Sequence, residues 1–150
     1  MIEIGTAKEE DIEGITELEA ETFVDPWHYA SVESVVGRDH ITTLVAKEKE
    51  QVVGYVIYYH IVNEGEIARV AVKESFHRQK IGTMLLSEMI ARGETEGLSE
   101  YSLEVRESNE PAIGLYHSFS FKTEGRRKKY YHSPDEDALV MWRRSNETEE

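Results

Sequence analysis

The stretch from Ile81 to about Glu96 constrains the fold more than any other part of the chain. Ile81, Leu85 and Met89, with Leu86 and Ile90 beside them, recur at helical spacing and make one apolar stripe, and Gly97 supplies a stop. Such a stripe has to be buried against a second layer, and the runs before it can form one. Ile41 to Lys47 and Val52 to Tyr59 are rich in β-branched and aromatic residues and flank the charged turn Glu48-Lys-Glu-Gln51. Glu66-Ile-Ala-Arg-Val-Ala-Val72 reads as a third strand.

The flanks continue the pattern. Ile2-Glu3-Ile4 alternates as a strand, and Thr6 can cap a helix from about Lys8 to Phe23 with Ile12, Ile15 and Leu18 on one side. Asp25-Pro26 breaks it, and Trp27 to Val36 reads as a short helix ended by Gly37. Tyr101 to Arg106 is a strand. Ser108 or Asn109 caps a helix to about Phe119, with Pro111 in its first turn where a missing N–H does little harm. Strands near Phe121 to Lys128 and Ala138 to Arg143 close the chain. The order β-α-α-β-β-β-α-β-α-β-β predicts an α/β (mixed α+β) single domain over residues 1–144: a central mixed, mostly antiparallel sheet with helices on both faces. Residues 145–150 are polar and read as a frayed tail.

Composition narrows what such a domain does. At 150 residues and 39% hydrophobic, the chain has room for one core. It has no apolar run of membrane-spanning length and no basic and apolar blocks of a signal peptide at its start, which predicts a cytoplasmic protein without membrane attachment. Absence of cysteine removes disulfides, thiolate ligands and a Cys acyl-enzyme. The six histidines form no close pair at metal spacing, so no metal is expected. The formal charge is −13, with ten acidic residues and the single base Lys8 in the first 37 positions. That field repels nucleic acid, which the short cluster Arg126-Arg-Lys-Lys129 is too small to reverse, and suits a basic partner. The plainer reading of the acidic surface is solvated helix faces.

Two places carry candidate chemistry. Arg78-Gln79-Lys80-Ile81-Gly82-Thr83 leads into the long helix, whose first amides lack internal partners and sit at the positive end of the dipole; an anionic phosphate group fits there, and Gly82 lets it approach. The same basic residues at a helix start also occur as plain wet surface. In Tyr101-Ser-Leu-Glu-Val-Arg106, alternation separates Tyr101, Leu103 and Val105 from Ser102, Glu104 and Arg106. A carboxylate at Glu104 in a covered strand calls for a cleft, donors or a cation, and Arg106 two residues on would serve as a plain salt-bridge partner. Tyr116 in the next helix reads by itself as a core aromatic.

Gln79-Lys-Ile-Gly82 before a helix resembles the acetyl-CoA loop of the Gcn5-related N-acetyltransferase (GNAT) family, Gln/Arg-x-x-Gly-x-Gly/Ala. Leu103-Glu104-Val105-Arg106-Glu107-Ser108-Asn109, then Ala112-Ile-Gly-Leu-Tyr116, is similar to the far more specific Leu-Glu-Val-Arg-x-Ser-Asn-x-x-Ala-Ile-x-Leu-Tyr of its RimI-like branch, which acetylates protein amino termini. The best-known members of that branch are the ribosomal-protein alanine acetyltransferases. The likeness runs from about residue 2 to 143 and includes Asp25-Pro-Trp27 and Tyr130-Tyr131. It departs at Lys80, where many relatives have glycine, at Met84, where the pattern has a small residue, and at Ser120, where relatives close the helix with glycine. A serine there at positive φ would cost about 1 kcal/mol.

The resemblance implies a GNAT-like fold and acetyl-CoA as cosubstrate without a metal. Cofactor contacts map onto the backbone of Val70, Ala71 and Val72, onto Arg78, Gln79, Lys80, Ile81, Gly82 and Thr83, and onto Asn109 and Tyr116. It makes Glu104 the general base and Tyr116 the general acid, and it sets Trp27, Tyr130 and Tyr131 along the peptide channel. The acceptor implied is a protein N-terminus, such as that of a ribosomal protein, handled by a monomer or homodimer; the charge asymmetry adds the expectation that the acidic first 37 residues steer a basic one. A lysine side chain or small-molecule amine is the rival acceptor, and a non-catalytic acyl-CoA-binding module the rival function.

Overall fold

A computed structural model describes residues 1–144, with Arg78 described through its backbone only. The expected tail, 145–150, lies outside the described residues. The elements are β1 (Ile2–Thr6), α1 (Ile12–Thr22), α2 (Tyr29–Val35), β2 (Ile41–Glu48), β3 (Gln51–Ile61), β4 (Glu64–Val72), α3 (Ile81–Glu96), β5 (Glu100–Arg106), α4 (Glu110–Ser118), β6 (Lys122–Tyr131) and β7 (Glu136–Arg144), with 3-10 turns at Glu9–Asp11 and Glu74–Gln79. This is the order read from the sequence.

Local chemistry shifts the start of α1 and the β2–β3 turn, among other boundaries. Thr6 does not cap α1, because it pairs with Leu44 in the β1–β2 ladder and its hydroxyl accepts from Arg92. The helical path begins with the 3-10 turn instead: Asp11 Oδ2 accepts from the Lys8 amide at 2.9 Å, and the buried carboxylate is neutralised by Lys47 Nζ, also at 2.9 Å. The β2–β3 turn closes on two residues rather than four, Lys49 and Glu50, both at positive φ. That backbone follows the right-handed twist of the strands it joins.

The seven strands form one sheet in the order β1-β2-β3-β4-β5-β7-β6. Every neighbouring pair is antiparallel except β4 and β5. One core cluster packs α3 and α4 on one face through Leu85, Met89, Leu103, Val105 and Tyr116. The other packs α1 and α2 on the opposite face through Ile15, Leu18, Val32, Tyr55 and Ile57. No helix among the described residues is long and apolar enough to cross a membrane.

The parallel junction positions the site. β4 and β5 pair only from Glu64↔Glu100 to Glu66↔Ser102. Beyond that point each strand keeps its outer neighbour: β5 stays in register with β7 from Glu100↔Arg144 to Arg106↔Ala138, and β4 runs along β3 to Gly54↔Val72. The β3–β4 register shifts opposite Ala68, between Ile57↔Arg69 and Tyr58↔Ile67. An extra residue in one strand bends it and sharpens its twist, so β4 turns away from β5 where their pairing stops. The sheet is thereby parted, and among the described residues the edge of β4 from Ile67 onward faces the gap without a partner strand.

Candidate active site

The gap continues as a cleft of about 470 Å³ lined from both faces of the sheet. Thr22 to Asp25, after α1, form one rim, Ala112 and Tyr116 of α4 the other, with Ile67 to Val70 and Leu103 to Arg106 as strand walls and Tyr130 to His132 at the side. Glu104, Asn109 and Tyr116, which fall within one short stretch of the sequence, line this one cleft.

Alternation on β5 sends Leu103 and Val105 into the α3/α4 core and Glu104 to the opposite side. Its cation is not Arg106. That guanidinium donates to Glu136 Oε1 at 3.1 Å and to the carbonyls of His132 and Pro134, and it lies over the Tyr131 ring at 4.5 Å. Arg127 of β6 ion-pairs Glu104 instead, and the Tyr130 hydroxyl lies near the same carboxylate, which after burial helps raise the phenol's pKa. Tyr130 and Tyr131 meet edge to face at 5.0 Å. Burial, then the neighbouring Tyr130 and Glu104, pushes the Tyr131 phenol up to about 12.

Tyr116 is 3% exposed and packs on Phe121 with ring centroids 5.6 Å apart. Burial, followed by the proximity of Tyr131, raises its phenol well above the usual tyrosine range, so it stays protonated at neutral pH. α4 holds it there. Asn109 Oδ1 accepts from the Ala112 amide at 3.3 Å, which caps the helix start and leaves the Asn109 amide nitrogen for other partners. At the other end Ser120 takes φ 70°, while the amides of Ser120 and Phe121 return to His117 and Tyr116 carbonyls at 3.0 and 3.1 Å. The serine thus adopts the conformation that favours glycine.

The turn before α3 has the form expected of an anion site. Lys80 takes φ 60°, another glycine-favouring position, and its carbonyl accepts from Met84, so the amides of Ile81, Gly82 and Thr83 come first in the helix. Gln79, Lys80 and Thr83 are exposed. Ile81 is buried under β3, so it offers backbone alone. A Cβ on Gly82 would come within 2.9 Å of Leu115, so the glycine also sets the α3–α4 approach. The Arg78 side chain lies outside what is described. On β4, Val70 lines the cleft, Ala71 is buried on the α1/α2 side, and the Val72 carbonyl already accepts from His77 Nε2 at 2.8 Å.

Trp27 lies away from the cleft lining; Thr22 to Asp25 take that rim. Its amide donates to Glu19 Oε1 at 2.8 Å, and Arg69 stands over the rings of Phe23 and Trp27 at 4.0 and 5.4 Å. Glu19 is fully buried and anchors this corner: Arg69 donates to its two oxygens at 2.6 and 3.2 Å, and the Tyr55 hydroxyl donates to it as well. Arg69 Nη2 also reaches the Asp25 carbonyl at 3.3 Å, which fixes the rim loop to β4. Neither residue is singled out by the sequence reading, yet each carries a signal: a carboxylate four residues after Ile15 on the buried stripe of α1, and a base within the apolar run of β4. Among the described residues, no group of three or more His, Asp or Glu side chains could hold a metal ion.

The sheet is parted at its parallel junction, with an open strand edge on one wall of the cleft and helix-borne side chains on the other. The chain belongs to the Acetyltransferase (GNAT) family, whose profile residues 12–121 match. A Bacillus subtilis (strain 168) protein, named provisionally as a [ribosomal protein bS18]-alanine N-acetyltransferase, is 33% identical over 139 residues, 92% of each chain. The [ribosomal protein bS18]-alanine N-acetyltransferase of Haemophilus ducreyi is 30% identical, covering 92% of this chain and 97% of its own. The crystal structure of the ribosomal-protein-S18-alanine N-acetyltransferase from Escherichia coli has a TM-score of 0.89 at 27% identity, covering 96% and 94% of the two chains.

Proposed function

We propose that the protein transfers acetyl from acetyl-CoA to the α-amine of a protein N-terminus, by direct attack and without an acyl-enzyme. The observation that carries this reading is the single cleft through the sheet that both Glu104 and Tyr116 line. The curated names of the relatives, acting on a ribosomal-protein alanine, favour an N-terminal acceptor.

The residues present fit the cosubstrate. The unpartnered edge of β4 at Val70 and Ala71 has backbone groups for the amides of a pantetheine arm, and the Ile81–Thr83 amides with Gln79 and Lys80 suit a pyrophosphate. Acetyl-CoA supplies the thioester. The acceptor arrives largely as an ammonium, and Glu104 takes its proton so that the nitrogen lone pair is free to attack. Tyr116, held protonated by burial, returns a proton to the departing sulfur. Asn109 and the Tyr130–Tyr131 pair border the same space and orient the reactants.

Intact-mass assay of short peptides with free, blocked or internal-lysine amines tests the function. Free-amine peptides alone should gain an acetyl group. Glu104→Gln and Tyr116→Phe should each lower kcat by about 10²- to 10⁴-fold with little change in acetyl-CoA affinity. Wild-type turnover in both variants would remove the assigned roles, and acetylation of blocked peptides at lysine would redirect the acceptor.

A further inference from the structure

In the free protein Glu104 already holds a cation. Arg127 sets its Nε against Glu104 Oε2, and the guanidinium lies 5.8 Å from the centroid of the Tyr130 ring, whose hydroxyl is near the same carboxylate. Its neighbour Arg126 faces the other side of β6 and is tied by two carboxylates, Glu107 and Asp137. Arg127 has one. It is also the last residue in register before the strand bulges, where Lys129 takes φ 50° and its amide turns to Asp137 Oδ1. The Arg127 side chain is 61% exposed and that of Glu104 27%, with Oε2 itself buried. An ion pair whose arginine stands mostly in water is weakly held, by about five-fold at most, so the arginine is readily exchanged.

An α-amine with its ordinary pKa near 8 reaches the cleft as a cation, and it needs this same carboxylate. We infer that Arg127 is a tethered stand-in for the acceptor's ammonium, seated on Glu104 and Tyr130 while the cleft is empty and displaced to solvent by a charged free amine. Resting on the function proposed above, this makes Arg127 a specificity device. The exchange swaps one positive charge for another, so the half-buried carboxylate is never left uncompensated. A blocked or already acetylated N-terminus brings no charge and does not displace the guanidinium. After transfer the product is a neutral amide, and the return of Arg127 to Glu104 favours its release.

Steady-state kinetics with a short alanine-starting peptide test the device. Removing the tethered competitor in Arg127→Ala and Arg127→Gln should lower the peptide KM about three- to five-fold. The inhibition constant of the acetylated product should fall by a similar factor, with the acetyl-CoA KM unmoved. Arg127→Lys, which keeps a tethered cation, should behave as wild type, and added methylguanidinium should compete with the peptide more strongly in Arg127→Ala than in wild type. An unchanged or raised peptide KM in both neutral variants would overturn the stand-in role alone, provided that the wild type acetylates the peptide. Failure of the wild type to acetylate any free-amine peptide would overturn the proposed function, and this role with it.

Discussion

Ser120 and Lys80 both stand at positive φ, 70° and 60°, with side chains that the left-handed region disfavours. Each ends or begins a helix that carries part of the candidate site: Ser120 follows the α4 turn below Tyr116, and Lys80 precedes the first amides of α3. Replacing Ser120 by glycine removes the clash of Cβ with the backbone and leaves both returning amide bonds in place. Ser120→Gly should therefore stabilise the fold by about 1 kcal/mol, seen as a rise of about 2–4 °C in Tm for a domain of this size. No gain, or a fall, would mean that the serine hydroxyl contributes more than the backbone strain it brings. The charged residues at the site show the same separation of local from distant chemistry. Arg106 and Arg127 lie in different strands, and it is the distant one that meets Glu104.

At the scale of elements, α3 is fixed to β5 by a close approach at Gly93. A Cβ there would fall 1.7 Å from the Tyr101 hydroxyl, which is buried and donates to the Met89 carbonyl at 3.3 Å. Alanine is the better helix former by about 1 kcal/mol, so the isolated helix would gain from Gly93→Ala. The folded protein should lose, by about 1–3 kcal/mol for an overpacked site, because Tyr101 has no open space into which to move. Urea unfolding of Gly93→Ala checks this. A stabilised variant would show that the helix and strand part easily, which the rest of the packing does not suggest. Gly97 ends the same helix at φ 81°, and the Leu98 amide returns to the Gly93 carbonyl at 2.8 Å. Spacing in the sequence locates both ends of α3, since an apolar stripe and a terminal glycine are local features.

For the whole molecule, buried tyrosines tie stability to alkaline pH. Tyr101 and Tyr131 are pushed up to about 12, each first by burial, and Tyr55, Tyr58 and Tyr116 are raised further by the same cause. In the unfolded chain these phenols titrate near 10. Above that pH the unfolded state holds fewer protons than the folded one, so stability is complete below about pH 10 and falls as pH rises toward 12 and beyond. Urea midpoints should stay level from pH 7 to 9 and drop steeply above 10, with the phenolate absorbance of the buried tyrosines appearing only as the protein unfolds. Early ionisation of most tyrosines in the native state would refute this. The sequence by itself determined the order of elements, the apolar stripes, the glycine stop of α3 and the Glu104–Tyr116 motif, because these depend on propensity, spacing and short patterns. Only the tertiary structure decided that β7 runs between β5 and β6, that a bulge at Ala68 parts β4 from β5, that Arg127 meets Glu104, and that Arg69 on the cleft wall is tied to the buried Glu19. Register and strand order arise from contacts between residues far apart in the chain, and no local pattern carries that information.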